Sequence, residues 1–454
     1  MSRQTSLHFR ANAIRAIADS SLRSAVKKAT GTFSSKRTIA ISEIADFESL
    51  RKKASAVRKD VLDNIGMYLD TFSSNATKAG ATVHHAVDAE AARRTILGIL
   101  SNHNAKTVVK CKSMVSEEMQ LDEYLGKEGV EVIETALGDY ILQMAGEAPS
   151  HMTVPAIQKS RRQVGRLFAD KLGVEYSEDP RVLTKIARKV LREKFLSADA
   201  GISGANFAIA DTGSLVLFSN EGNGRMVTTV PTLHIAVLSI EKLLPSLKDL
   251  PAFIRLLPRS ATGQAVTSYV SVITGTRKDG EMTGAGELHI ILLDNGRSEI
   301  LAGECRDILK CIKCGACINV CPVYRTVGGD AYGWIYPGPM GIILTTLLMG
   351  LANSHPLVSA STFCGACDDV CPVKIPLVEL IHKLRVRKVS QGFSPVKEKL
   401  GMRVFEAAAK SPFLFSSGEG LAKIFWPVLS SLGGEDITGR LPEPVKMPFR
   451  RRME

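Results

Sequence analysis

The sequence predicts an α/β domain with a mainly buried sheet, followed by a short cysteine-rich module. Three observations carry this reading. From about residue 80, short apolar runs alternate with amphipathic stretches over roughly 220 residues, the texture of a sheet covered by helices. Seven of the nine cysteines fall in two tight groups, 311–321 and 364–371, each ending in Cys-Pro. The chain opens on a basic stretch in which Ile14, Ile17, Leu22 and Val26 recur at rough helical spacing. These features divide the chain into a basic helical segment (1–75), the α/β domain (76–297), the cysteine module (298–390) and a C-terminal helical arm (391–454).

Taken in order, the first 40 residues read as a basic helix followed by a Ser/Thr-rich turn. Residues Ile44 to Asp70 then read as one helix, with Ile44, Leu50, Val57, Leu62, Ile65 and Leu69 on a common face. In the α/β domain, Thr107–Lys110 and Val130–Glu134 are expected strands. Ser116–Leu125, Leu137–Ala145, Ala156–Leu172 and Arg181–Leu196 are expected helices. A β-rich block follows: Phe207–Ala210, Ser214–Ser219, Leu233–Leu238, Ser268–Thr274 and Glu287–Leu293, with a helix near Glu241–Leu257. Gly296 and Arg297 precede a short helix into the cysteine module. Pro395–Lys410 is a helical candidate, and Leu441–Arg452 reads as an extended arm. The two cysteine groups are the one internal repeat.

With 454 residues, 45% of them hydrophobic and 23% charged, the chain is of ordinary globular composition. Its longest near-apolar stretch, Gly341–Ala352, is too short to cross a bilayer, which needs about 20 residues in helical form. The formal net charge of +12 is uneven: residues 1–60 hold 13 Lys/Arg against 5 Asp/Glu, and the first 42 residues contain a single acid, Asp19. Such a start suits a transit peptide, or a helix docking on an acidic partner or peripherally on an anionic membrane face. Nucleic acid is disfavoured, because no stripe interleaves Lys/Arg with aromatics.

An odd number of clustered cysteines argues for metal in a reducing compartment and against a disulfide framework. The first group, Cys311-Ile-Lys-Cys314-Gly-Ala-Cys317-Ile-Asn-Val-Cys321-Pro322, has the C-x2-C-x2-C-x3-C-P spacing of bacterial ferredoxins, whose fourth cysteine serves the other cluster. Three thiolates two residues apart wrap one cluster, and Gly315 lets backbone N–H groups approach its sulfurs. The second group reads Cys364-Gly-Ala-Cys367-Asp-Asp-Val-Cys371-Pro372. Crossing the fourth cysteines assigns Cys311, Cys314, Cys317 and Cys371 to cluster one, and Cys321, Cys364 and Cys367 to cluster two. Cluster two is a thiolate short, with Ser361 where the fourth would stand. Cys305, a serine or water could close it, or it could be a three-iron centre. Zinc, which favours C-x2-C pairs, fits poorly. Cys111 lies far upstream beside a strand and reads as a buried apolar residue.

Three further segments carry a family resemblance: Asp330-Ala-Tyr-Gly-Trp-Ile-Tyr-Pro-Gly-Pro-Met-Gly341, Asp211-Thr-Gly-Ser-Leu-Val-Leu-Phe-Ser-Asn-Glu-Gly-Asn-Gly-Arg225 and Lys112-Ser-Met-Val-Ser-Glu-Glu118. With the cysteines, they resemble the lactate utilization protein B family from about Asp19 into the C-terminal arm. The resemblance implies a lactate-utilization (LUD) domain related to the CoA-transferase and sugar-phosphate-isomerase group, then a ferredoxin-like module with two [4Fe–4S] clusters. It implies a bacterial cytoplasmic protein that works with two companion subunits to oxidise L-lactate to pyruvate, enabling growth on lactate. It speaks against a transit peptide, since family members are similar across the basic stretch. The family's seven cluster cysteines map onto the seven named above, again leaving three on cluster two.

Outside the clusters, Asn220, Glu221, Asn223 and Arg225 form the best polar loop, with Arg225 suited to hold a carboxylate. A tight turn with a surface arginine is the plainer reading. Gly222-Asn-Gly224 lacks the third glycine of a dinucleotide fingerprint and is expected to lead into a strand. Ser113, Glu117 and Glu118 make a second polar group, with Ser116 as the expected helix cap. His151, His234 and Arg259 complete the candidates, none assignable as catalytic. Lactate oxidation releases two electrons and a cluster passes one, so the cofactor that splits the pair is expected on a partner. The function expected is an iron–sulfur electron-transfer subunit of an oxidoreductase complex, with the electron acceptor unidentified. The alternatives are a metabolite-binding or assembly protein with structural clusters, and a lone CoA-transferase-like enzyme.

Overall fold

The apolar runs Leu233–Ser239 and Glu287–Leu293 lie side by side in the middle of a parallel sheet, where strands covered on both faces need no polar side. The computed structural model describes residues 5–411, apart from 148, 152 and 153; the arm 441–452 lies outside the described residues. The strands are β1 (Ala81–Ala86), β2 (Thr107–Lys110), β3 (Glu131–Glu134), β4 (Ala200–Gly204), β5 (Phe207–Ile209), β6 (Ser214–Ser219), β7 (Leu233–Ser239), β8 (Leu243–Leu244), β9 (Tyr269–Ile273) and β10 (Glu287–Leu293). Six form an all-parallel sheet in the order β1-β10-β7-β4-β2-β3. A smaller mixed sheet has the order β8-β5-β6-β9.

The pleat sorts each central strand between two cores. Ile235 and Val237 of β7 and Ile291 of β10 face one, under Ile96 and Leu100 of the helix Ala89–Asn102. Ala236, Leu238, Ile290 and Leu292 face the other, which Phe72, Ala76 and Phe195 close. The chain builds outward from β2 to β3 and then, from β4, the opposite way through β7 to β10. The carboxyl ends of β2 and β4 therefore flank the topological switch point, where open α/β sheets bind ligands.

Four helices precede the sheet: α1 (Phe9–Ala18), α2 (Ser20–Ser42), α3 (Phe47–Asp63) and α4 (Ile65–Lys78). The expected Ser/Thr-rich turn is absent. The hydroxyls of Thr30, Thr32 and Thr38 bond back to the carbonyls of Val26, Lys28 and Ser34, so the polar run stays helical. The single helix expected over Ile44–Asp70 is two, divided at Asn64, whose φ of −125° leaves the helical region. The Ser116–Leu125 helix is likewise two, Met114–Glu118 and Leu121–Lys127, broken by Gln120 at φ +52°. The helix expected from Ala156 starts at Arg161, where Ser160 and Gln163 form a reciprocal capping box. That expected from Glu241 starts at Leu250, with Pro251 in its first turn. After Gly222 the chain enters a helix, Asn223–Thr229, instead of the expected strand.

The chain divides after Arg387 into two compact units. The first contains the N-terminal helices, both sheets and both cysteine groups. In the second, the described residues hold the end of the helix Leu377–Ser390 and the helix Val396–Lys410. No helix among the described residues is long and apolar enough to cross a membrane.

Candidate functional site

The two cysteine groups fold alike. The residue before Cys314 and the one before Cys364, Lys313 and Phe363, both take left-handed φ angles, +57° and +54°. Gly315 and Gly365 follow at +77° and +82°. A five-residue helix comes next in each, Ala316–Val320 and Ala366–Val370, with Cys317 or Cys367 in its first turn and Cys321 or Cys371 just past its end. These tight turns aim backbone N–H groups at sulfur. The N–H of Lys313 reaches Cys311 Sγ and that of Ile375 reaches Cys371 Sγ, each at 3.3 Å. Ala316 donates to Cys314, and Tyr324 and Val323 donate to Cys321.

The electrostatics sorts the thiols into two sets. Burial, then the neighbouring Cys311 and Cys371, push the Cys314 thiol up to about 12. Burial and then Cys311, Cys314 and Cys371 push Cys317 well up. In the other set, burial, then Asp368 and Cys321, raise Cys367 to about 12, and Cys364 is the thiol neighbour of Cys321. Each group thus sends its last cysteine to the other set. Cys311 is half-buried and Cys364 exposed, and the other five are buried. Mutually repelling thiols aimed at by amide donors fit an iron–sulfur centre, whose iron supplies the opposing charge when they ionise. No group of three His, Cys, Asp or Glu side chains among the described residues is gathered tightly enough for a single ion. Ser361 uses its hydroxyl to accept the Phe363 N–H at 3.2 Å. The buried Cys305 has Arg387, Glu304, Lys383 and Glu379 as its charged neighbours.

A cavity of about 330 Å³ opens at the switch point. Lys112 and Ser113 beyond β2, Ala205 and Asn206 beyond β4, and Lys242 beyond β7 form one side. Lys313 and Cys314 of the first cysteine loop stand in its wall. Asn220, Glu221 and Asn223 also line it, whereas Arg225 is exposed on the helix Asn223–Thr229. Glu221 accepts the Leu137 N–H at 3.0 Å, and Asn220 pairs with Gln264 at 2.8 Å. Cys111 is buried there, its thiol pushed up to about 11.

The other candidates are structural. Ser113, not Ser116, caps the Met114–Glu118 helix, accepting the Ser116 N–H at 3.3 Å. His151 bonds Asn319 at 3.1 Å, and His234 bonds Ser203 at 2.7 Å. Arg259 holds the carbonyl of Ala40 at 3.0 Å.

The comparisons with known proteins agree with this arrangement. The LUD domain matches residues 69–293, and the 4Fe-4S dicluster domain matches residues 307–375. Lactate utilization protein B of Lysinibacillus sphaericus is 43% identical over 94% of this chain and 89% of its own. That of Bacillus subtilis is 44% identical over 90% and 86%, and that of Bacillus cytotoxicus 45% over the same shares. The chain belongs to the lactate utilization protein B family. It therefore has a role in lactate utilization and carries the family's iron–sulfur module. A solved DUF162 family protein from Deinococcus radiodurans covers 50% of this chain and 98% of its own at 16% identity, with a TM-score of 0.30.

Within this family member, several long-range contacts escape sequence reasoning. Three arginines of the basic segment turn inward, whereas Arg10, Arg15 and Arg23 are exposed. Arg37 donates to Val370 O at 3.0 Å, and Arg51 to Cys371 O at 3.0 and 2.7 Å. The fully buried Arg58 holds the carbonyls of Leu309, Lys310, Leu243 and Glu241. A second network joins the sheet to the module. Arg297 pairs both oxygens of Glu118 at 2.8 and 2.7 Å, and its Nε stands 2.9 Å from Glu241. Tyr336 and Asn295 also donate to Glu118, each at 2.7 Å. Burial alone raises that carboxyl, and Arg297 overrides it, holding it at about 2. Sequence marks Glu118 as polar, but nothing local in it pairs Glu118 with Arg297 or turns Arg37, Arg51 and Arg58 toward the cysteine module.

Proposed function

We propose that this chain is the iron–sulfur electron-transfer subunit of a multi-protein complex that oxidises L-lactate to pyruvate in the cytoplasm, working with two companion subunits. Cys311, Cys314, Cys317 and Cys371 hold one [4Fe–4S] cluster; Cys321, Cys364 and Cys367 hold the second. The observation that carries this reading is the exchange of Cys321 and Cys371 between the two thiol sets. Bound clusters would supply one-electron relay chemistry. The residues of this chain bury most of the thiols, leaving Cys364 exposed, aim amide donors at them, and place cations beside the first set. An exchanged ligand ties each cysteine loop to both centres, which favours electron passage between neighbouring clusters over two independent structural sites.

Iron and acid-sulfide analysis with EPR on anaerobically purified protein tests the reading. Two cluster signals with reversible reduction are expected. Stoichiometric zinc without a cluster signal, or clusters that cannot be reduced reversibly, would refute it. The isolated chain should not turn over lactate with a dye acceptor until its companions are added, because it lacks a hydride-accepting fingerprint.

A further inference from the structure

The switch-point cavity holds more positive charge than its neighbours offset. Lys112 is neutralised by Asp139 at 3.0 Å. Lining the cavity, Lys242 and Lys313 stand against one carboxylate, Glu221; behind its wall Arg58 and Arg297 stand with Glu118 and Glu241. Part of the excess lies beside thiols: Arg58 and Lys313 both act on Cys311. Lys242 is different, because its charged neighbours are Glu241, Lys313, Arg297 and Glu118, and its Nζ donates to Ala205 O at 2.8 Å. Lys313 Nζ is buried without a hydrogen-bond partner, 4.0 Å from the Tyr336 ring centroid. A buried ammonium with unused donors costs free energy unless an acceptor arrives.

We propose that this cavity binds a small carboxylate of the 2-hydroxy or 2-oxo acid class, its carboxylate held between Lys242 and Lys313 against the wall that carries Cys314. The proposal rests on the electron-transfer reading above and adds where the acid would sit. Three features support that class. The cavity stands at the carboxyl ends of β2 and β4, where parallel sheets offer ligands unpaired backbone groups. Its volume of about 330 Å³ lies at the low end of ligand sites, suited to a few-carbon acid with water and too small for a dinucleotide. Asn223 at its rim carries a carboxamide able to serve the 2-hydroxyl or 2-oxo group. The other large cavity, about 320 Å³, is lined by Glu117, Asp122, Glu123, Glu134, Asp139 and Glu147, and would repel the same ligand.

Titration calorimetry on the anaerobically purified, cluster-loaded chain tests this, with L-lactate, pyruvate and the neutral analogue lactamide as probes. Lactate and pyruvate should bind, and lactamide about tenfold to a hundredfold more weakly, the worth of a charge-assisted hydrogen bond. Lys242→Met should weaken lactate by a similar factor with iron content and cluster EPR unchanged, and Lys242→Arg should recover part of it. Lys313→Met serves as a second variant, scored only where its iron content matches wild type. Equal binding of lactate and lactamide, or no binding to a chain with two reducible clusters, overturns the site and leaves the electron-transfer reading standing. Lactate affinity unchanged by Lys242→Met also overturns it. A chain without clusters overturns both.

Discussion

Replacing Arg297 with methionine should be among the most damaging single changes in the chain. The guanidinium is fully buried between Glu118 and Glu241, whose side chains are 0% and 3% exposed, so solvent cannot take over its role. Arg297 holds the Glu118 carboxyl at about 2 against the pull of burial. Without it, burial pushes that carboxyl back up, opposed by Lys313 and the Asn295 amide. Glu241 loses its ion pair as well, which brings the expected loss to about 3–5 kcal/mol, the range for breaking a buried pair by deleting one partner. Adding Glu118→Gln to Arg297→Met should restore about 1–2 kcal/mol, because it removes the stranded charge while keeping groups that Tyr336 and Asn295 can bond.

Hydrogen exchange of the slowest amides in β7 and β10 measures these losses without requiring that the clusters survive full unfolding. The pH dependence gives a second check. In Arg297→Met the buried carboxyls bind protons more tightly in the folded than in the unfolded chain. The deficit should therefore shrink as pH falls from about 8 to about 5. A loss under about 1 kcal/mol, or a second substitution that adds its own full cost, would refute the view that Arg297 compensates two buried carboxylates.

Three further outcomes are expected. After brief air exposure the wild type should show the EPR signal of a three-iron centre, which Ser361→Cys should reduce and Cys305→Ala should leave unchanged, since the charged neighbours of Cys305 are Arg387 and Glu304. Arg51→Gln, which removes a cation that donates twice to the Cys371 carbonyl, should lower the midpoint potential of the first centre and not the second in a redox titration followed by EPR. His234 lies fully buried in β7, held by burial at about 4, below its unfolded value near 6.5. Its neutral form therefore contributes stability that is lost as pH falls from about 6.5 toward 4, about 3 kcal/mol at most, and His234→Gln should flatten that part of the pH–stability curve in hydrogen exchange.

What the sequence revealed and what it hid divide along physical lines. Ser214–Ser219 and Glu287–Leu293 were legible to the residue because they are apolar runs that only a strand buries. The cysteine spacing was legible because a cluster imposes its own short-range geometry. Strand β4, Ala-Gly-Ile-Ser-Gly, was not: its small residues carry little β signal, yet a side chain at Gly201 would meet the Val227 carbonyl at 2.0 Å. Asn220, Glu221 and Asn223, polar in a glycine-bearing loop, do reach the cavity, whereas Arg225 stands exposed on a helix that the local residues do not announce. Lys242 and Lys313 carry no shared sequence signal because they are 71 residues apart, one closing the short helical turn after β7 and one inside a cysteine spacing, and only the fold sets them on one cavity.

The basic N-terminal segment shows the same logic on a larger scale. An excess of +8 over 60 residues reads as a face for an acidic partner or an anionic surface. In the fold, α2 and α3 lie along the cysteine module, and Arg37, Arg51 and Arg58 point into it. Their charges act on Cys314, Cys371 and Cys311, all members of the first thiol set. The second set has Asp368 beside Cys367 instead. Four thiolates on a metal centre leave net negative charge in a buried place, and cations nearby favour that charge and any further electron, while a carboxylate opposes both. The two sets thus have similar loops but opposite surroundings, and with clusters bound the first would be the better place for an electron to rest. That set also forms a wall of the lysine-lined cavity. Arg37, Arg51 and Arg58 would thus make the centre nearest the cavity the electrostatic low point for electrons once clusters are bound, while Arg10, Arg15, Arg23 and the lysines of the segment stay exposed to a partner or an anionic surface.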